Sequence, residues 1–119
     1  MDLDNETWLI ELGDLIINKE SADGISCLND IERAVYCLWV VDYSVRNAGD
    51  LGAVEDLYPD ALSELHHFAL TNQCSQLSLL SDPAAASAEE EFCERFHRLF
   101  DESCKEIRAR YESNAGNRG

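Results

Sequence analysis

Residues 30–47, "DIERAVYCLWVVDYSVRN", decide how the chain folds. Eleven of these eighteen residues are apolar, and they spread over almost every side of a helical wheel, which marks a buried central helix rather than a surface one. Val40 and Val41 are β-branched, yet a run this long exceeds an ordinary strand. Asn29 followed three residues later by Glu32 has the form of a capping box, with Asn in place of Ser or Thr. Gly49 suits the left-handed residue that ends a helix.

Outward from this segment the pattern stays helical. Trp8, Leu12, Leu15 and Ile16 repeat at helical spacing, predicting a first helix over 4–19 that "KESADG" interrupts at Gly24. "LGAVEDLY" adds a turn or two after the central helix. Pro59 fits the first position of a further helix that buries Leu62, Leu65 and Ala69, with Phe68 beside them. A break near Asn72 precedes "CSQLSLL", and "SDPAAAS" reads as a linker. Ser87 and Glu90 form a capping box for a last helix with Phe92, Phe96, Leu99, Ile107 and Tyr111 as its apolar stripe. The expectation is an all-α bundle of about five helices, one domain over residues 1–112 with a disordered tail at 113–119.

Five cysteines, at 27, 37, 74, 93 and 104, form no C-x-x-C pair and are odd in number. They predict reduced thiols, most of them small core residues, in a cytoplasmic protein. The acidic start "MDLDNETW" does not read as a signal peptide, and no apolar run approaches the roughly 18 residues of a membrane span.

Charge is the uneven feature. The net charge is −15 over 119 residues. Residues 1–94 hold 20 acids against Lys19, Arg33 and Arg46, a net of −17, whereas 95–119 hold 4 acids against 6 bases. Residues 47–94 contain no Lys or Arg, and within them "GDLGAVEDLYPDALSEL" carries Asp50, Glu55, Asp56, Asp60 and Glu64. Such a surface repels nucleic acid and anionic membranes and attracts basic proteins. Acids four apart on a helix stand about 6 Å apart along its axis, so a row of them presents charge somewhat as a phosphate backbone does. The bland alternative is solvated acid that serves solubility, helped by the favourable placing of Asp56, Asp60 and Glu89–Glu91 near helix starts. In the last helix, Glu94–Arg98, Asp101–Lys105 and Glu106–Arg110 stand at i, i+4 and predict a locally balanced element.

Two E-x-x-H pairs, Glu64–His67 and Glu94–His97, are the ligand pattern of di-iron carboxylate bundles. Their wheel positions put both pairs on polar faces, opposite Leu62, Leu65 and Ala69 in the first case. His66 with Cys74 has the composition of a base and nucleophile, without an evident third group. No phosphate-binding glycine loop, nucleophile elbow or dinucleotide fingerprint is present. The reading is therefore no catalytic residue, no metal and no cofactor, with the di-iron bundle as the enzyme alternative.

The stretch "IERAVYCLWVVDYSVRNAGDLG" resembles the bacterial DNA-mimic protein family, small acidic helical domains in which a long apolar helix runs into an E-V-N-N-G-G-F-like turn. The matching residues are Asp42, Val45, Asn47 and Gly49; Ala48 stands where the family has Gly, and Asp50 where it has an aromatic residue. The resemblance extends over about residues 28–110. It implies an all-α domain whose acidic face imitates DNA and binds a DNA-binding protein, with Asn47 and Gly49 shaping the turn. The same electrostatics suit an immunity protein or antitoxin facing a basic nuclease toxin. A secretion chaperone, small and acidic too, is mixed α/β. The partner expected is a basic protein, engaged through Asp50, Glu55, Asp56, Asp60 and Glu64; an exposed apolar patch would also permit a homodimer.

Overall fold

Asn29 caps the central helix as its side chain predicts. Its Oδ1 accepts from Glu32 N at 2.9 Å, and Glu32 Oε1 accepts from Asn29 N at 3.0 Å. The helix ends where Gly49, at φ +69°, donates its N–H to the Val45 carbonyl. In the computed structural model, which describes residues 4–82 and 89–116 (the side chains of Ile25 and 114–116 excepted), this is α2, Asp30–Ala48. The others are α1, Asn5–Asp23; α3, Gly52–Leu57; α4, Ala61–Thr71; α5, Ser75–Ser81; and α6, Glu89–Gly116. A 3₁₀ turn, Ile25–Cys27, follows α1, and no strand occurs among the described residues. The chain is all-α, with six α-helices among the described residues where the pattern predicts about five.

α2 lies at the centre and packs on α1, α3, α4 and α6; α5 bridges α4 and α6, and α1 also reaches α6. Val35, Cys37, Leu38, Val40 and Val41 of α2 are fully buried, in one core with Leu9, Leu65, Leu77, Leu80, Phe92, Phe96 and Ile107. Burying such side chains contributes about 2 kcal/mol each, which overrides the weak strand preference of the valines. Among the described residues no helix is long and apolar enough to cross a membrane.

Several boundaries differ from the sequence pattern. α1 continues to Asp23, because nothing before Gly24 (φ +89°) breaks the ladder. Leu15 is 67% exposed while Leu9 is fully buried: α1 packs on both α2 and α6, and that turns its buried arc toward Leu9 and Ile16. Pro59 is not the first helical residue. It occupies the second position of a turn closed by Ala61 N to Tyr58 O at 3.0 Å, with Asp60 at φ −85°, ψ 4°, and α4 starts at Ala61. Proline's fixed φ suits that turn position as well as it suits a helix start. α6 runs on to Gly116, past the boundary expected at residue 112. The Ser87–Glu90 capping box and most of the linker lie outside the described residues.

Candidate protein-binding surface

The three cations of residues 1–94 each tie two helices together. Lys19 Nζ of α1 lies 3.1 Å from both carboxylate oxygens of Glu32 in α2. Arg33 of α2 forms a fork with Glu64 of α4, Nε to Oε1 at 3.0 Å and NH2 to Oε2 at 3.3 Å. NH2 also donates to the Tyr58 hydroxyl, which in turn donates to Glu64. Arg46 lies over the Phe100 ring, bonds the buried Asp42 at 2.6 Å and stands 3.8 Å from Glu6 of α1. Burial pushes the Asp42 carboxyl up, against the hydrogen bond from Arg46 that holds it down.

Those cations therefore face four acids at the helix seams and leave the rest. Asp50, Glu55, Asp56 and Asp60 are exposed, and no ion pair reaches them from the described residues, α6 included. They occupy the corner that carries the chain from α2 through α3 to α4. Ser44 fixes this corner: its hydroxyl donates to the Asp50 carbonyl at 2.6 Å and accepts from Ala53 N at 3.2 Å. The Asp50 carboxylate accepts from Gly52 N at 2.9 Å, and Leu51 N donates to Glu89 at the head of α6, also at 2.9 Å. Cys93 Sγ lies 3.4 Å from the Gly49 carbonyl. Its thiol is pushed up by burial first, then by the Glu89 and Asp50 carboxylates. Glu89 thus adds to the corner across 38 residues of sequence, a join that no local spacing announces.

Glu64, counted with these acids from the sequence, is held by Arg33 and Tyr58 instead; the polar arc of α4 meets α2 along one edge, and Glu64 lies on that edge. Gly49 makes the left-handed turn, whereas Asn47 is still inside α2 and donates to the Tyr43 carbonyl one turn back.

The i, i+4 pairs expected in α6 are not among its ion pairs. Glu106 instead accepts from Leu77 N at 2.9 Å and Gln76 N at 3.3 Å, capping α5, and Arg110 donates to the Asn72 carbonyl at 2.8 Å. Satisfying otherwise orphaned helix N–H groups outweighs an exposed pair contributing about 0.3 kcal/mol. Lys105 lies 3.9 Å from Glu102, and Arg108 stacks on Trp8 and lies 3.6 Å from Glu112.

The chemical constellations do not assemble. Glu64 and His67 line a cavity of about 350 Å³ between α2 and α4, floored by Ala34, Cys37 and Phe68, with Glu64 held by Arg33. Glu94 and His97 are exposed, and among the described residues no three His, Cys, Asp or Glu side chains gather as a metal site would need. Cys74 Sγ contacts the Asn72 carbonyl at 3.8 Å, and burial raises its thiol rather than activating it. Burial pushes the thiols of Cys37 and Cys104 up to about 12. All five cysteines are free.

No family model, curated protein or solved structure matches the chain. What fold and surface define, among the described residues, is an all-α acidic domain whose α2–α4 corner carries four exposed acids without a cation.

Proposed function

We propose that this chain is a non-enzymatic cytoplasmic binding protein that occupies the basic surface of another protein through its acidic corner. The observation that carries this reading is the division of the acids: every lysine and arginine of residues 1–94 is engaged at a helix seam, while Asp50, Glu55, Asp56 and Asp60 stand exposed without a cation among the described residues. Carboxylates on a firmly bonded corner present charge at fixed positions, as phosphates do, and steer a basic partner by long-range attraction. In this reading the corner takes the place of nucleic acid on a DNA-binding regulator, as a DNA mimic does, and the domain itself does not bind nucleic acid. A basic nuclease toxin offers the same complementary surface, which would make the chain an immunity protein.

The test is affinity capture from the native cell, washed at low and at physiological salt, where screening shortens to about 8 Å. The proposal expects a basic nucleic-acid-binding protein that the higher salt releases. Recovery of only neutral or acidic proteins, indifferent to salt, overturns it. A regulator or a nuclease among the captured proteins decides between the two roles.

A further inference from the structure

One arc of α2 is aromatic. Glu32, Tyr36, Trp39, Tyr43 and Arg46 share one arc by their spacing of four and three. The two ends of the arc are tied to α1 by the Lys19–Glu32 and Arg46–Glu6 pairs, so α1 lies antiparallel along it. Between those ends the Trp39 ring stacks on Tyr43, centroids 5.3 Å apart and planes 22° apart. Gly13 of α1 makes room for it: a Cβ there would come within 2.4 Å of Trp39 Cδ1, so the indole lies against bare backbone. Tyr43 is 43% exposed, and so is Ile10, one helical turn before Gly13. On the other side Tyr58, which follows α3, packs on Tyr36 at 5.6 Å.

Acids stand close in sequence to the residues that flank this strip on both sides. Asp14 adjoins Gly13, and Glu55 and Asp56 lead into Tyr58; all three are exposed with no ion pair among the described residues. An aromatic stack whose outer member, Tyr43, is exposed, on elements that carry unpaired carboxylates, suits a guanidinium, which is planar, lies flat on aromatic faces and forks onto carboxylates. A purely apolar occupant would strip water from those carboxylates without replacing it, and a second copy would bring a further −15.

We infer that the Trp39–Tyr43 stack is the centre of the partner contact and receives an arginine side chain from a basic segment, whose remaining cations meet the acids on either side. This rests on the proposed binding of a basic protein and adds where the energy is concentrated, since tyrosine and tryptophan dominate such contacts.

The test uses the full chain with nona-arginine and nona-lysine peptides as probes, at low and physiological salt. Calorimetry compares the natural sequence with Tyr43→Ala; a Trp8→Phe variant leaves Trp39 as the sole tryptophan for fluorescence. The inference expects nona-arginine to bind more tightly than nona-lysine and to shift Trp39 emission. Tyr43→Ala should weaken nona-arginine about tenfold and remove the preference, with the melting temperature unchanged. Salt-sensitive binding that leaves Trp39 emission unmoved and changes less than about twofold in Tyr43→Ala overturns the inference while the acidic corner stands. No salt-sensitive binding of either peptide overturns both.

Discussion

Glu64 and Asp60 stand four residues apart, and the fold uses them in opposite ways. Glu64 sits on the α2–α4 seam, clasped by the Arg33 fork and the Tyr58 hydroxyl. Asp60 closes the corner, exposed, its carboxylate without a cation among the described residues. The same contrast separates the seam acids from the other corner acids. Seam acids have partners and hold helices together; corner acids contribute little to cohesion and raise the self-repulsion of a chain carrying −15. A surface that raises self-repulsion and is nevertheless fixed by Ser44, Gly52 and Glu89 is the feature on which the proposed binding rests.

Substitution breaks this comparison most strongly at the corner. Changing Asp50, Asp56 and Asp60 to Asn and Glu55 to Gln together should weaken the partner complex about a hundredfold, with the loss mainly in the association rate. The melting temperature of the free protein should hold or rise. On the seam the outcome reverses: Arg33→Ala should leave partner binding near its original strength but destabilise the fold by about 1.5 kcal/mol, read from urea unfolding. That figure stays modest because Arg33 and Glu64 are 37% and 31% exposed, where solvent screens the pair. A double-mutant cycle with Glu64→Gln isolates the pairing itself. Asn29→Ala removes the box that starts α2 and should cost about 1 kcal/mol in the same assay, with binding unaffected.

The smallest effects are in acid. Thr7 N–H bonding holds Asp4 below its ordinary 3.8, so its contribution is present above 3.8 and is lost as pH falls through the lowered value. Asp42, raised by burial, has the opposite sign: its contribution is full below 3.8 and is lost as pH rises through the raised value. Melting curves against pH should therefore show Asp4→Asn converging with the natural protein toward low pH. Relative to the natural protein, Asp42→Asn should gain stability as pH rises through that window.

How much of this was legible in the sequence depends on range. The start and stop of α2 were readable because a capping box and a glycine turn act within a few residues. The bend at Asn72 and the burial of Leu62, Leu65 and Ala69 followed from local pattern as well. Leu15 misled because periodicity finds an apolar arc but not which neighbours cover it. Among the acids, Asp50, Glu55, Asp56 and Asp60 were identifiable by the absence of nearby bases. Glu64 was not separable from them, since Arg33 lies 31 positions away and only the packing of α4 on α2 joins them. Glu89 at the corner and Glu106 on α5 depend equally on where α6 is laid.

The central claim meets its most direct test in the salt dependence of partner binding, measured side by side for the natural protein and the corner-neutralised variant. If the corner carries the interaction, affinity falls steeply with added salt for the natural protein, and the slope flattens once Asp50, Glu55, Asp56 and Asp60 lose their charge. Two parallel slopes at equal affinity would show that the partner never meets the corner.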